Sequence, residues 1–253
     1  MTKKSEHEPQ ILRINEASSV YTREIAGDII NTCSSLMEEP LPKDVLERIA
    51  KVDADCCRLI RNRYLLSKLL QFHFAKESSK YCSFADVYAN CCETVTAICA
   101  NEKIPFGCSE FLNPQKVNAT SEECALLLLL PIAIVLEKSV TESIRLITTS
   151  KKDSVTLEFT FSCEFPDIIS LAEECELDGK NNGLFFDLPL LACVLRNTSE
   201  RLGVSIEISG NKFIITIPAA DSEVTVNSPS EPYIDNRFSL PYIILSKIIK
   251  REI

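Results

Sequence analysis

Residues Leu126 to Ser139 read LLLLLPIAIVLEKS, and this run decides the fold. It is too apolar for a surface helix and too short to span a bilayer, which takes about 20 residues. Thr120 and Glu123 precede it at capping-box spacing, so the pattern predicts a helix starting near Ser121. A helix that is apolar nearly all round belongs in a domain core.

Working outward, the flanks alternate like strands. Val155, Leu157, Phe159 and Phe161 alternate with Thr156, Glu158 and Thr160, and Ser143 to Thr149 precedes them across the polar stretch Ser150–Ser154. This predicts a β-hairpin. Short strand pieces are expected at Ile104–Phe106 and Gln115–Asn118, and an amphipathic helix over Phe84–Ala100. Asp167 to Glu176 reads as a short helix and Leu177 to Gly183 as a loop. Leu188 to Leu202 reads as a helix with Pro189 in its first turn and Gly203 as its stop. A second hairpin, Val204–Ser209 and Lys212–Pro218, turns at Gly210-Asn211. The polar tail that follows ends in an apolar piece, Phe238–Ile249, suited to docking on a domain.

Toward the N-terminus the pattern changes to long helices. Residues 1–10 are polar and are expected to be disordered. Ile11 to Glu38 places Ile14, Tyr21, Ile25, Ile29, Cys33 and Leu36 along one side, and Pro40 and Pro42 end the helix. The second helix, from Lys43 or Asp44 to about Glu77, repeats Val45, Ile49, Val52, Cys56, Leu59, Arg63, Leu66, Leu70 and His73 at alternating spacings of four and three. That is a heptad pattern. Leu46, Ile60, Leu65, Leu69 and Phe72 widen the stripe beyond what two helices can bury against each other, so a homodimeric four-helix bundle is expected. Packing against the rest of the same chain is the alternative. The expected domains are the hairpin at 11–78, an α/β domain at 79–219 and a tail at 220–253.

Composition narrows the function. The 253 residues carry a net charge of −9, which argues against a nucleic-acid binder needing a basic face. The start, with Lys3, Lys4, Glu6 and Glu8, lacks the apolar segment of a signal peptide, so a cytoplasmic location without membrane insertion is expected. Twelve cysteines occur without a Cys-x-x-Cys motif and with only His7 and His73 beside them. Reduced cysteines packed as small hydrophobes are expected, rather than metal ligands.

The order of a helical hairpin, then helix, strand, core helix, hairpin, helix and hairpin resembles the transmitter region of sensor histidine kinases, over about Ile11–Pro218. The resemblance implies an α+β chain, a dimerisation hairpin followed by an α/β sandwich of the Bergerat ATPase type. In that family the first helix carries a phospho-acceptor histidine; here Thr22-Arg23-Glu24-Ile25 occupies the place, with Arg23 at the acceptor position. A guanidinium has no lone pair with which to attack phosphate. The family's core helix carries a Mg²⁺-holding asparagine, whereas the matching positions are Ala133 and Glu137. The family's adenine-binding Asp-x-Gly-x-Gly is replaced by Cys163-Glu164-Phe165-Pro166-Asp167, and its glycine-rich loop is reduced to the single Gly183 in Asn182–Asp187.

These losses predict a catalytically silent dimer with no cofactor, acting by binding a response regulator or another signalling protein. His73 is the residue a histidine phosphotransferase would use, although its place in the apolar stripe suits a packed bundle residue. An active kinase would need ATP and Mg²⁺ held by Glu137, Asp167 and Gly183. A two-domain α/β protein outside the family is the remaining expectation.

Overall fold

The structure is a computed structural model that describes residues 8–74, 80–113, 115–138, 143–177, 187–220, 233–234, 236 and 238–246. In chain order the elements are α1 (Glu8–Met37), α2 (Lys43–Phe74), β1 (Cys82–Ser83), α3 (Phe84–Asn101), β2 (Phe106–Cys108), β3 (Lys116–Val117), α4 (Ser121–Lys138), β4 (Ile144–Lys151), β5 (Ser154–Phe161), α5 (Ile168–Leu177), α6 (Asp187–Leu202), β6 (Ser205–Ser209), β7 (Lys212–Pro218) and α7 (Leu240–Ile244). The chain divides into two compact units, Met1–Lys76 with Ser246–Ile253, and Glu77–Leu245.

The first unit contains the hairpin of α1 and α2, packed along their length. Ala26, Ile30 and Cys33 are buried on α1, and Ile60, Tyr64 and Leu65 on α2. A buried polar tie joins the helices: Asn15 Nδ2 donates to Ser67 Oγ at 2.9 Å, and Arg63 donates to the Asn15 carbonyl at 3.1 Å. Most of the expected heptad line is not the buried line within the chain. Val52, Leu59 and Leu66, each seven residues apart, stay exposed, as do Ile14, Tyr21, Ile25, Ile29 and Leu36 on α1. The period was legible, but neighbouring positions such as Ile60 and Leu65 carry the burial.

The second unit is an α/β sandwich. Its five-stranded sheet has the order β2-β4-β5-β7-β6, with β2 parallel to β4 and the other pairs antiparallel. Ile144 and Leu146, then Val155, Leu157, Phe159 and Phe161, then Phe213, Ile215 and Ile217, form one buried face. The alternating residues between them are half-buried or exposed, as expected for a sheet covered on one side. The β4–β5 strands extend further than expected, pairing Lys151 with Ser154, so the turn tightens to Lys152-Asp153. β1 and β3 form a separate antiparallel pair.

α4 starts at Ser121 through a complete capping box. The Glu123 carboxylate accepts from the Thr120 N–H at 2.8 Å, and the Thr120 hydroxyl accepts from the Glu123 N–H at 3.1 Å. Every residue from Cys124 to Leu136 is buried. The cause is packing on several sides, because α3, α6 and α7 all lie against α4. Of the terminal apolar piece, Leu240–Ile244 docks on α4 as α7, and residues 247–249 lie outside the described residues. Gly203 and Gly210, at φ of 63° and 60°, occupy the left-handed positions that close α6 and turn β6 into β7.

Candidate functional site

The stretch after β5, where the resemblance places adenine recognition, is folded into the sandwich. Phe165 is buried and its ring stacks on Phe213 with centroids 4.3 Å apart; it also meets Phe161 at 5.5 Å. Its N–H donates to the Gly210 carbonyl at 2.9 Å, which ties this turn to the β6–β7 hairpin. Pro166 is buried behind it. A Phe-Pro pair in this position fills core volume where Gly-x-Gly would leave backbone open to a ligand.

Asp167 follows as an exposed residue and caps α5. One carboxylate oxygen accepts from the N–H groups of Ile169 at 3.0 Å and Ser170 at 3.4 Å, and the other accepts from the Ser170 hydroxyl at 2.8 Å. These bonds, the Ser170 hydroxyl first, hold its carboxyl below the usual carboxylate range. Capping is the ordinary use of an Asp before a helix, and it engages both oxygens.

On α4, Ala133 is buried and Glu137 is half-buried in the last turn. The core helix therefore offers an aliphatic side chain at the first of the two positions that the resemblance matches to the family's asparagine. Gly183 and the Asn182–Phe186 segment lie outside the described residues, as do His7 and Ser139. Among the described residues, no group of three His, Cys, Asp or Glu side chains is assembled that could hold a metal ion. None of the described helices is long and apolar enough to cross a membrane.

Arg23 and His73 belong to the first unit. Arg23 is exposed on α1. His73 lies in the last turn of α2, on a side of the hairpin that is exposed within one chain.

Two features were not read from the sequence. Arg201 on α6 donates to Glu123 at 3.1 Å, so the capping carboxylate of α4 also forms an ion pair 78 residues away. Cysteine is mostly packed as expected: Cys33, Cys82, Cys91, Cys92, Cys99, Cys124 and Cys193 are buried thiols. Among the described residues, Cys56, Cys57 and Cys163 are half-buried, and Cys108 on β2 is exposed.

No family model and no curated protein matches this sequence. Solved structures do match. Full-length ShkA, crystallised with AMPPNP, superposes at a TM-score of 0.57 with 12% identity, covering 83% of this chain and 46% of that one. The chain therefore spans less than half of ShkA. The Acinetobacter baumannii histidine kinase AdeS aligns at a TM-score of 0.45 with 15% identity, over 79% of this chain and 98% of that one. The nucleotide-free catalytic domain of the histidine kinase ThkA aligns at 0.40 with 16% identity, over 56% and 97%. The chain has the fold of a histidine-kinase transmitter region, a helical hairpin followed by an α/β domain of the ATPase type.

Proposed function

We propose that the chain is a catalytically silent, histidine-kinase-like protein that works as a dimeric binding module in signal transduction. The observation that carries this is the use made of Phe165 and Asp167. The turn that would admit adenine is packed as core, and the carboxylate that would receive it caps α5. With Ala133 buried on α4, the residues present do not fit a magnesium–nucleotide complex. Arg23 at the acceptor position cannot carry a phosphoryl group as histidine does.

Binding in place of catalysis needs a surface, and the hairpin has one. Ile14, Tyr21 and Leu36 on α1 and Val52, Leu59 and Leu66 on α2 are exposed large apolar residues, with Tyr21 at 64% and Leu59 at 51%. Apolar residues repeating at heptad spacing are best buried against helices of the same kind, so the occupant is a second copy of this chain. Such a bundle could engage a response regulator or another signalling protein.

The test is a thermal shift titration with ATP and Mg²⁺. A ligand at 100 times its dissociation constant stabilises the native state by about 2.7 kcal/mol, so binding would be plain. No shift is expected. A clear upward shift that disappears in Glu137→Ala would overturn the silent reading.

One observation favours a second reading. His73 is exposed on a helical hairpin, where a phosphotransferase histidine must be reachable. Incubation with a phosphorylated response regulator distinguishes the two: acid-labile label lost in His73→Gln would establish phosphotransfer.

A further inference from the structure

Two of the buried thiols, Cys82 and Cys124, stand against each other, and the binding role uses neither. Their sulfurs are 3.4 Å apart, at hydrogen-bond distance, although the residues are 42 positions apart in the chain. Cys82 is 1% exposed and Cys124 is 0% exposed.

The backbone on each side is held independently. Cys82 lies on β1, where it pairs with Val117 on β3, and Val117 also bridges to Ala219 just beyond β7. Cys124 lies in the first turns of α4, with its N–H bonded to the Thr120 carbonyl at 3.1 Å. The capping box at Thr120 and the ion pair of Glu123 with Arg201 fix that end of the helix. A covalent bond asks the two sulfurs to close from 3.4 Å to about 2.05 Å, a movement within reach of side-chain rotation.

Burial keeps reagents from this pair while β1 is docked, so access depends on β1 itself. Its ladder with β3 holds two residue pairs, and its neighbours Lys80, Tyr81 and Ser83 are exposed or half-buried. A segment with so few backbone bonds opens far more readily than the core. Peeling stops at Phe84, which is fully buried and whose N–H donates to the Gln115 carbonyl at 3.0 Å. Opening therefore uncovers Cys82, while Cys124 stays in its helix.

We propose that Cys82 and Cys124 form a reversible disulfide by exchange with small-molecule disulfides, a covalent latch between β1 and the core helix α4. The Cys82 thiolate, its proton given to water, attacks one sulfur of the small disulfide. An S–S bond forms to Cys82, the reagent's own S–S bond breaks, and its other half leaves as a thiolate that takes up a proton. As β1 returns, the Cys124 thiolate attacks the Cys82 sulfur, and the second half of the reagent leaves in the same way. Two protein thiols lose two electrons, and the small disulfide gains them as two thiols. The close approach of the sulfurs in the docked state favours this second step over accumulation of the mixed disulfide.

The experiment treats the reduced full chain with hydroxyethyl disulfide and maps the products by mass spectrometry of a non-reducing digest. A Cys82–Cys124 cross-linked peptide is expected as the dominant intramolecular product, and dithiothreitol should restore both thiols. Cys124→Ala should keep the reagent's thiol on Cys82, and Cys82→Ala should leave Cys124 uncrosslinked. The latched wild type should melt about 5 °C or more above the reduced chain, because the bond closes a long loop. The mapping on the wild type decides the matter whether or not either variant folds. The proposal is overturned if a different pair of cysteines predominates, or if Cys82 stops at the mixed disulfide with Cys124 free. It is equally overturned if both remain thiols while the exposed Cys108 is fully modified, or if the cross-linked chain melts no higher than the reduced one.

Discussion

The ring of Phe165 stacks on that of Phe213 at 4.3 Å and an angle of 26°. This contact joins the turn after β5 to β7, and it uses as core the stretch that stands where the resemblance places adenine recognition. Phe165→Ala should cost about 3 kcal/mol, by lost burial and the cavity left behind. The urea midpoint should fall with an unchanged slope. A loss below about 1 kcal/mol would mean that the turn is held by its backbone bond to Gly210 and not by the ring.

Asp167 caps α5 with both oxygens, and its carboxyl sits below the ordinary value in the folded chain. A depressed carboxylate contributes stability that is complete above its unfolded value and is lost as pH falls through its folded value. The melting temperature of Asp167→Ala should therefore lie below wild type near neutral pH. The gap should close as pH drops below the ordinary carboxylate range. A gap that persists at the acid end would show that the carboxylate's charge is not what the cap uses.

Glu123 serves two partners, the Thr120 N–H and the Arg201 guanidinium, with side-chain exposures of 12% and 20% for the ion pair. Glu123→Ala should cost about 1–2 kcal/mol, as for loss of a cap with a charge partner. A double-mutant cycle with Arg201→Ala should give a coupling of roughly 0.5–1.5 kcal/mol. Zero coupling would assign the whole effect of Glu123 to the capping box.

The exposed heptad line on the hairpin is tested by its charge. Leu59→Glu combined with Leu66→Glu should convert a dimer into a monomer at micromolar concentration in light scattering, because the carboxylates would lie buried and unpaired at the contact. The monomer should keep its helical circular dichroism, since both positions are at the surface of a single chain. A wild-type monomer would end the dimer proposal outright.

Much of the fold was legible because it is local. The capping box at Thr120 and Glu123 placed the start of α4, and Gly203 marked the end of α6. The alternation from Val155 to Phe161 gave β5, and each of these signals lies within a few residues of what it specifies. The candidate site was legible only as a set of missing residues. Their replacement by Ala133, Phe165 and Asp167 could be read, but not that Phe165 would stack on Phe213, 48 positions away in the numbering (213 − 165). Two aromatic residues carry no sequence mark that they will meet.

The sequence by itself determined the helical hairpin, the core helix, the two β-hairpins and the absence of a histidine on the first helix, because periodicity and capping act over one or two turns. Only the tertiary structure decided the parallel pairing of β2 with β4 and which heptad positions stay open. It also decided the ion pair of Glu123 with Arg201. Each of these depends on elements brought together from distant parts of the chain, where side-chain volume and ladder register choose among pairings that local pattern leaves equal. The same holds for LLLLLPIAIVLEKS: its composition showed that it must be buried, and the packing of α3, α6 and α7 around it supplied the burial.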